Sequence, residues 1–454
     1  MTPLDERFGS SPHAIGWYWL RAFAQDAAPP GRAALAVLIV FVLLATSGWT
    51  ASQRHARPPD PRKAALAAWL HGSVGSRKLP RTDSAPTAIA RFFSAIGSRQ
   101  SVRLADRHPL VVGNLDGAPV RLRYRANRTA ISRALADARE RARDPRLTVQ
   151  GRHEAGRRAH RYASLLRGGR QVLAFDPAGR GRAAEVFGDL STARRVSVVV
   201  PGSDTDLDTF ERTRRRYSAP SGMAGSLYRE TRRLEPDAKV AVIAWADYTT
   251  PLGVGVDAAT GALAAGGAAR LERLLGALPG RSPVSLFCHS YGSVVCGVAA
   301  PRLDDRVTDI AVSGSPGMRV DNAAQLRTGA RVWAARDRDD WIGNVPHLEF
   351  AGLGHGGDPV SPAFGARVVG SERARGHSGY FAPGTGSLEN FGRIALGRYG
   401  TVECTAGNDR TAGGHRRQGP FLTATGTGRF RTGLRTPGSP GDSRTYDVRP
   451  WARC

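Results

Sequence analysis

Lysine is almost missing from this chain. Lys63, Lys78 and Lys239 are its only lysines, although Lys plus Arg number 65 against 39 Asp plus Glu and the formal net charge is +26. The positive charge is therefore nearly all arginine, spread through an Ala- and Gly-rich background. A high-GC coding sequence produces that composition without selection for a polyanionic partner. There is no basic run interleaved with aromatics, no zinc-finger spacing and no RNP-like signature, so no nucleic-acid partner is expected. Weak adhesion of an Arg-rich surface is what the charge leaves open.

Cysteine is scarce too. Cys288, Cys296, Cys404 and Cys454 include no C-x-x-C pair, which excludes a zinc cage or a thioredoxin-like centre of that spacing. Cys404 and Cys454 lie in a loop-rich tail and could be joined in an exported protein. Cys288 and Cys296 read instead as small, buried apolar side chains.

Long hydrophobic runs are absent except for one, AALAVLIVFVLLATSGW at residues 33–49. It just reaches the length needed to span a bilayer and is read as a membrane anchor. A signal segment cleaved near Ala45-Thr46-Ser47 is the alternative. The flanking charges, Arg21 and Arg32 before it and Arg54, Arg57, Arg62 and Lys63 after it, would hold the downstream domain in the cytoplasm. This conflicts with export. The expected location is nonetheless extracytoplasmic, with the main folded domain anchored there, or secreted if the segment is cleaved.

With 41% hydrophobic and 23% charged residues over 454 positions, the rest can bury a sizeable core. The expected division is a leader at 1–32, the apolar segment at 33–49 and a Pro- and Arg-rich linker at 50–68. Next come a helical extension at 69–168, the main domain at 169–400, which carries the candidate catalytic residues described below, and a Gly/Arg-rich, loop-like tail at 401–454. Within the extension, TAISRALADARERARD from Thr129 places Ile131, Leu135 and Ala138 at helical spacing; this helix should end near Arg143, before Pro145.

Beyond about residue 170 the pattern changes to short apolar runs separated by helical stretches. QVLAF (from Gln171), EVFGDL (Glu185), VSVVV (Val196), VAVIAW (Val240), VSLFC (Val284), TDIAVSG (Thr308), RVWAA (Arg331) and ARVVG (Ala366) read as eight strands. Runs this apolar suit strands buried on both faces, so the expected fold class is α/β, a mainly parallel sheet flanked by helices. The first one or two strands are free to pair antiparallel.

Among these strands, VSLFCHSYGSVVCGVAA from Val284 reads as strand, tight turn, helix. The turn Cys288-His289-Ser290-Tyr291-Gly292 has the form of a nucleophile elbow, with Cys288 where the G-x-S-x-G pattern has its first glycine. A serine hydroxyl is a poor nucleophile unless a histidine takes its proton and an acid orients that histidine. In this fold they follow in the order serine, acid, histidine. RVWAA leads into Arg336-Asp337-Arg338-Asp339-Asp340, and ARVVG leads toward Gly376-His377-Ser378. The candidates are Ser290, Asp340 and His377. Asp337 and Asp339 compete for the acid role and His355 for that of the base. His289 is too close in the chain to turn back onto Ser290, and His347 reads as a surface or packing residue.

An oxyanion hole needs two donors aimed at the developing charge. The Tyr291 N–H is one candidate; Ser203, in the turn Pro201-Gly202-Ser203-Asp204 after VSVVV, is the other.

Several segments together resemble a bacterial family of alpha/beta hydrolases whose substrate is not established. They are VVGNLDGAPVRLRYRANR from Val111, VVVPGSDT from Val198, CHSYGS around Ser290, GSPG from Gly314, LGHGGDP from Leu353, FGARV from Phe364 and GHSGYF from Gly376. The resemblance runs from Val111 to Gly397. It implies the alpha/beta-hydrolase fold, Ser290 as nucleophile, an acid in the Asp337 to Asp340 loop and His377 as base. The expected function is an esterase- or lipase-like serine hydrolase acting on a small-molecule or lipid ester, with no metal or organic cofactor. An amide or peptide hydrolase and a non-catalytic envelope binding protein of the same fold are the alternatives. The segment Gly179-Arg180-Gly181-Arg182-Ala183-Ala184 superficially matches a dinucleotide fingerprint but lacks the βαβ setting that gives such glycines their role.

Overall fold

The computed structural model describes residues 61–405. The apolar segment at 33–49, the choice between anchor and signal, and most of the expected tail lie outside them. Among the described residues no helix is long and apolar enough to cross a membrane.

All eight apolar runs are strands of one sheet. They are β1 (Gln171–Asp176), β2 (Arg182–Phe187), β3 (Arg195–Val200), β4 (Val240–Ala246), β5 (Val284–His289), β6 (Val307–Ser313), β7 (Arg331–Ala335) and β8 (Arg367–Val368), in the spatial order β8-β7-β6-β5-β3-β4-β2-β1. Every pairing is parallel except those of β2, which runs antiparallel to both β1 and β4. The start of β2 settles the dinucleotide-like segment. Gly179 and Gly181 have positive φ in the turn from β1, and Ala183 and Ala184 are strand residues, so no helix N-terminus stands over these glycines.

Two-residue alternation divides the sheet between two apolar layers. Val198, Val200, Ile243, Leu286 and Ile310 face helices α6 (Ala262–Ala277) and α7 (Gly292–Ala299). Val199, Val242, Phe287, Ala311 and Trp333 face the other way, against α5 (Pro220–Leu234) and α8 (Gly386–Leu396). Burying one such side chain stabilises the fold by about 1.5–3 kcal/mol.

The extension forms helices α1 (Pro61–Leu70), α2 (Pro86–Arg107), α3 (Val120–Arg143) and α4 (Val149–Leu165). Residues from Pro61, expected as linker, are helical instead because Trp69 is fully buried beside Ile89, Phe93 and Val112. The helix α3 stops at Arg143 as expected. Its first half joins this small core, while Ile131 and Leu135 reach the sheet layer. Two asparagines hold the extension to the sheet edge. Asn114 donates from Nδ2 to the Phe175 carbonyl (2.7 Å) and accepts the Phe175 N–H (2.9 Å), while Asn127 donates to the Val172 carbonyl (2.9 Å). Strand β1 is thereby covered on the side where a sheet edge would otherwise expose unpaired backbone groups.

At the opposite end of the central strands from Ser290, the fully buried Asp309 of β6 gathers Ser285 Oγ (3.2 Å), Thr308 Oγ1 (2.7 Å), Arg331 Nε (2.9 Å), Trp333 Nε1 (3.1 Å) and the Tyr399 hydroxyl (2.9 Å). Removing one partner of a buried ionic cluster leaves the others uncompensated. Asp309→Ala should therefore lower unfolding free energy in urea by about 3–5 kcal/mol. A loss below about 1 kcal/mol would show that water replaces the carboxylate.

Candidate active site

Strand β5 ends at His289 and α7 begins at Gly292, leaving Ser290 in a left-handed conformation with φ 55°. Such a conformation costs a non-glycine residue about 1–2 kcal/mol. It turns Oγ out of the strand direction, and Ser290 N–H donates to the Ser313 carbonyl at 3.0 Å to hold the turn. The elbow requires near-contact on both sides. A Cβ at Gly202 would lie 2.6 Å from Ser290 Cβ, and one at Gly292 would lie 2.3 Å from the Val200 carbonyl oxygen.

This close approach corrects the reading of Cys288 and Cys296. They are buried as expected, but they form a disulfide, with Cα atoms 6.6 Å apart. The strand end and the second turn of α7 meet, so a cysteine at the elbow's first position has a partner on the helix. Cys404 is also disulfide-bonded; Cys454 lies outside the described residues.

His377 Nε2 stands 2.8 Å from Ser290 Oγ, and its Nδ1 stands 2.9 and 3.1 Å from the two Asp340 oxygens. In the neutral ring, Nδ1–H donates to Asp340 and Nε2 accepts the serine proton. The side chains are 87 and 37 residues apart in the chain and meet because β5, β7 and β8 end on the same edge. Asp340 also accepts the Tyr380 hydroxyl at 2.5 Å and the Ile342 N–H at 2.9 Å. Burial pushes its carboxyl pKa up, but hydrogen bonds from His377, Tyr380 and Ile342 outweigh this and hold it below the ordinary value. Gly314, with φ 53°, passes beneath the pair, where a Cβ would lie 2.8 Å from Asp340 Oδ2.

The competing residues are elsewhere. Asp337 accepts the Gly376 N–H at 2.7 Å and so ties down the loop bearing His377, whereas Asp339 is largely exposed. His355 sits by the ring of Tyr291 and bonds the Ala258 carbonyl at 2.7 Å, and its carbonyl accepts the Arg319 N–H. His347 Nδ1 lies 3.2 Å from the Pro316 carbonyl. His289 donates from Nε2 to the His377 carbonyl at 2.6 Å. Burial, with the neighbouring His377 adding to it, pulls the His289 pKa down to about 3, so this ring stays neutral.

Neither the Tyr291 N–H nor the Ser203 N–H has a hydrogen-bond acceptor among the described residues. Both lie beside Ser290, one as its chain neighbour and one next to Gly202. The Tyr291 side chain is pinned, its hydroxyl donating to the Thr260 carbonyl (2.9 Å) and accepting the Ala264 N–H (3.1 Å).

A family described as alpha/beta hydrolase matches residues 176–350, a span that holds Ser290 and Asp340 and stops short of His377. Over this span the chain matches an alpha/beta hydrolase, and its sheet has the alpha/beta-hydrolase fold. Uncharacterized proteins from two strains of Mycobacterium tuberculosis are each 26% identical to it over 377 residues, which cover 70% of this chain and 57% of theirs. The chain thus spans little more than half the length of these curated relatives. Similar solved structures include one described as a CIB-like hydrolase from Thermoplasma acidophilum, 15% identical over 48% of this chain and 91% of that one, with a TM-score of 0.30. Dienelactone hydrolase from Anabaena variabilis is 16% identical over 47% and 89%, with a TM-score of 0.31.

Sequence reasoning missed Tyr380 as a partner of Asp340. Its position in GHSGYF, three residues after His377, was the available signal. It also missed Trp341, whose ring centre lies 4.8 Å from that of His377.

The depressed pKa of His289 predicts an acid-sensitive fold. The unfolded chain takes up this proton near pH 6.5 and the folded one only near pH 3, so the stabilisation is complete above pH 6.5 and is lost as pH falls through that window. His289→Gln should make the stability-against-pH profile shallower there by about 1.4 kcal/mol per pH unit. Urea midpoints between pH 7 and pH 4 measure it, and parallel profiles would contradict it.

Proposed function

We propose that this chain is a serine hydrolase of carboxylic esters, with Ser290 as nucleophile, His377 as general base and acid, and Asp340 as the group that orients His377. The observation that carries the reading is the unbroken hydrogen-bonded series from Ser290 Oγ through His377 to Asp340. The match of residues 176–350 to an alpha/beta-hydrolase family supports hydrolysis in general.

Ser290 Oγ attacks the ester carbonyl carbon while His377 Nε2 takes the hydroxyl proton. The carbonyl oxygen becomes an oxyanion facing the N–H groups of Tyr291 and Ser203. His377 then gives its proton to the departing alcohol as the C–O bond breaks, leaving an acyl-serine. Water enters, loses a proton to His377 and releases the acid, and Ser290 is regenerated. Asp340 keeps its charge throughout, and its low pKa supports that role because an ionised carboxylate stabilises the imidazolium formed in each half. Amides would use the same groups but need more help for the leaving nitrogen, so esters are the first assignment.

The Cys288–Cys296 bond supports the extracytoplasmic location, since disulfides persist in oxidising compartments and a reducing cytoplasm would open most of them. A segment at 33–49 that is cleaved, or anchored against the bias of its flanking charges, would place the domain there.

With p-nitrophenyl butyrate as substrate, Ser290→Ala should abolish turnover. Asp340→Asn should lower kcat by roughly 10³–10⁴-fold with little change in KM, because it leaves the imidazole in the wrong tautomer. Asp339→Asn should stay within about twofold of the wild type, as expected of an exposed surface group. Wild-type kcat in Asp340→Asn would contradict the acid assignment.

A further inference from the structure

Large apolar side chains left in water are normally scattered over a surface. Here they are not. Nine are exposed among the described residues, and all except Leu70 and Val149 lie on three loops at the Ser290 end of the sheet. The first loop follows β4 and carries Leu252, Val254 and Val256. Its backbone is fastened to the turn bearing Ser203: Asp204 N–H donates to the Pro251 carbonyl (2.9 Å) and Gly253 N–H to Asp204 Oδ1 (2.8 Å). The second loop is that of Trp341, next to Asp340 and against the His377 ring.

The third is a small hairpin that pairs Glu349–Phe350 with Leu353–Gly354 and holds Leu348, Phe350 and Leu353 outward, Phe350 being 78% exposed at its tip. Leu353 bridges to Thr260, whose carbonyl accepts the Tyr291 hydroxyl. Arg319 fastens the hairpin from below, donating to the Gly354 carbonyl (2.7 Å) and pairing with Glu349 (2.5 Å). Each loop is thus one or two contacts from a group assigned to the chemistry. Apart from Trp341 against His377, these apolar side chains stand outside the hydrophobic cores of the described residues, so packing does not account for their type.

Charge on the same loops decides what this rim receives. On these three loops exposed Arg338 stands against exposed Asp257, Asp339 and Glu349, the last already paired with Arg319, so the net charge of +26 is not concentrated here. An anionic surface or a charged substrate arm would find no complementary field on such a rim. An uncharged hydrocarbon would find a surface that suits it.

We propose that the ester cleaved at Ser290 carries a medium or long hydrocarbon acyl chain, and that Leu252, Val254, Phe350 and Leu353 form the surface on which this chain lies. The proposal rests on the serine-esterase reading above and adds the substrate class. The hydrocarbon leaves the acyl carbon at Ser290, passes Trp341 and spreads over the hairpin and the loop after β4. Burial of each methylene on one side only gives roughly half of the full transfer free energy, or about a twofold gain per methylene.

The test compares p-nitrophenyl acetate, butyrate and octanoate, each below its aggregation limit, on the full chain and on the triple variant L252S/V254S/F350S. For the wild type, kcat/KM should rise roughly 16-fold from butyrate to octanoate, about twofold for each of four methylenes. In the variant that ratio should fall to about 1, because the gain comes from the rim. Both rates are taken from one preparation, so the ratio does not depend on how much protein is folded. A flat wild-type ratio with all three esters hydrolysed overturns the acyl-chain proposal and leaves the esterase reading standing. An unchanged ratio in the triple variant places the hydrocarbon elsewhere and also overturns it. If no ester is turned over and Ser290 takes no fluorophosphonate label, the esterase reading fails, and this proposal fails with it.

Discussion

The turn at Ser290 constrains everything around it. A serine at φ 55° is held against its own conformational preference, and it stays there only because its surroundings leave no alternative. The Ser313 carbonyl takes the Ser290 N–H. Glycines at 202 and 292 allow two backbones to come within distances that a Cβ would forbid. The Cys288–Cys296 bond then ties the residue at the strand end to the helix beyond the turn. Where the G-x-S-x-G pattern relies on a glycine for closeness, this chain has a covalent link at the same point.

From that fixed point the other groups fall into two roles. Asp340 faces His377 and is surrounded by donors, whereas Asp337, three residues earlier, turns to the Gly376 N–H and secures the loop that carries the histidine. Tyr380 connects both, donating to Asp340 Oδ2 and accepting the Asp337 N–H at 3.0 Å. His289 works from beneath through the His377 carbonyl. Hydrogen bonds therefore hold a hydroxyl, an imidazole and a carboxylate from three distant loops in one geometry, the kind of preorganisation on which the proposed acyl transfer would draw.

How much of this was legible follows from the physics of each signal. Strands buried on both faces produce uninterrupted apolar runs, and all eight were recognisable for that reason. Their boundaries were less so, since Arg182 through Ala184 look like a glycine-arginine loop until pairing with β4 draws them into β2. The end of α3 at Arg143 was marked by Pro145. By contrast, the disulfide depended on a strand-to-helix approach that spacing does not encode, and the helical residues from Pro61 depended on a core built from several other segments. Asn114 and Asn127 sit in the VVGNLDGAPVRLRYRANR stretch, but their task became visible only with the β1 edge beside them. The meeting of Ser290, Asp340 and His377 was foreseeable because strand ends bring such loops together in this fold; Tyr380 and the apolar rim were not, because each acquires meaning from a neighbour distant in sequence.

The central claim is that Ser290 is an activated nucleophile. It is tested most directly by treating the folded full chain with a fluorophosphonate and mapping the adduct by peptide mass spectrometry. The account predicts one stoichiometric adduct on Ser290, lost in Ser290→Ala and slowed markedly in Asp340→Asn. A well-folded wild-type chain that takes no label at Ser290 would contradict it and favour a binding protein built on the same fold.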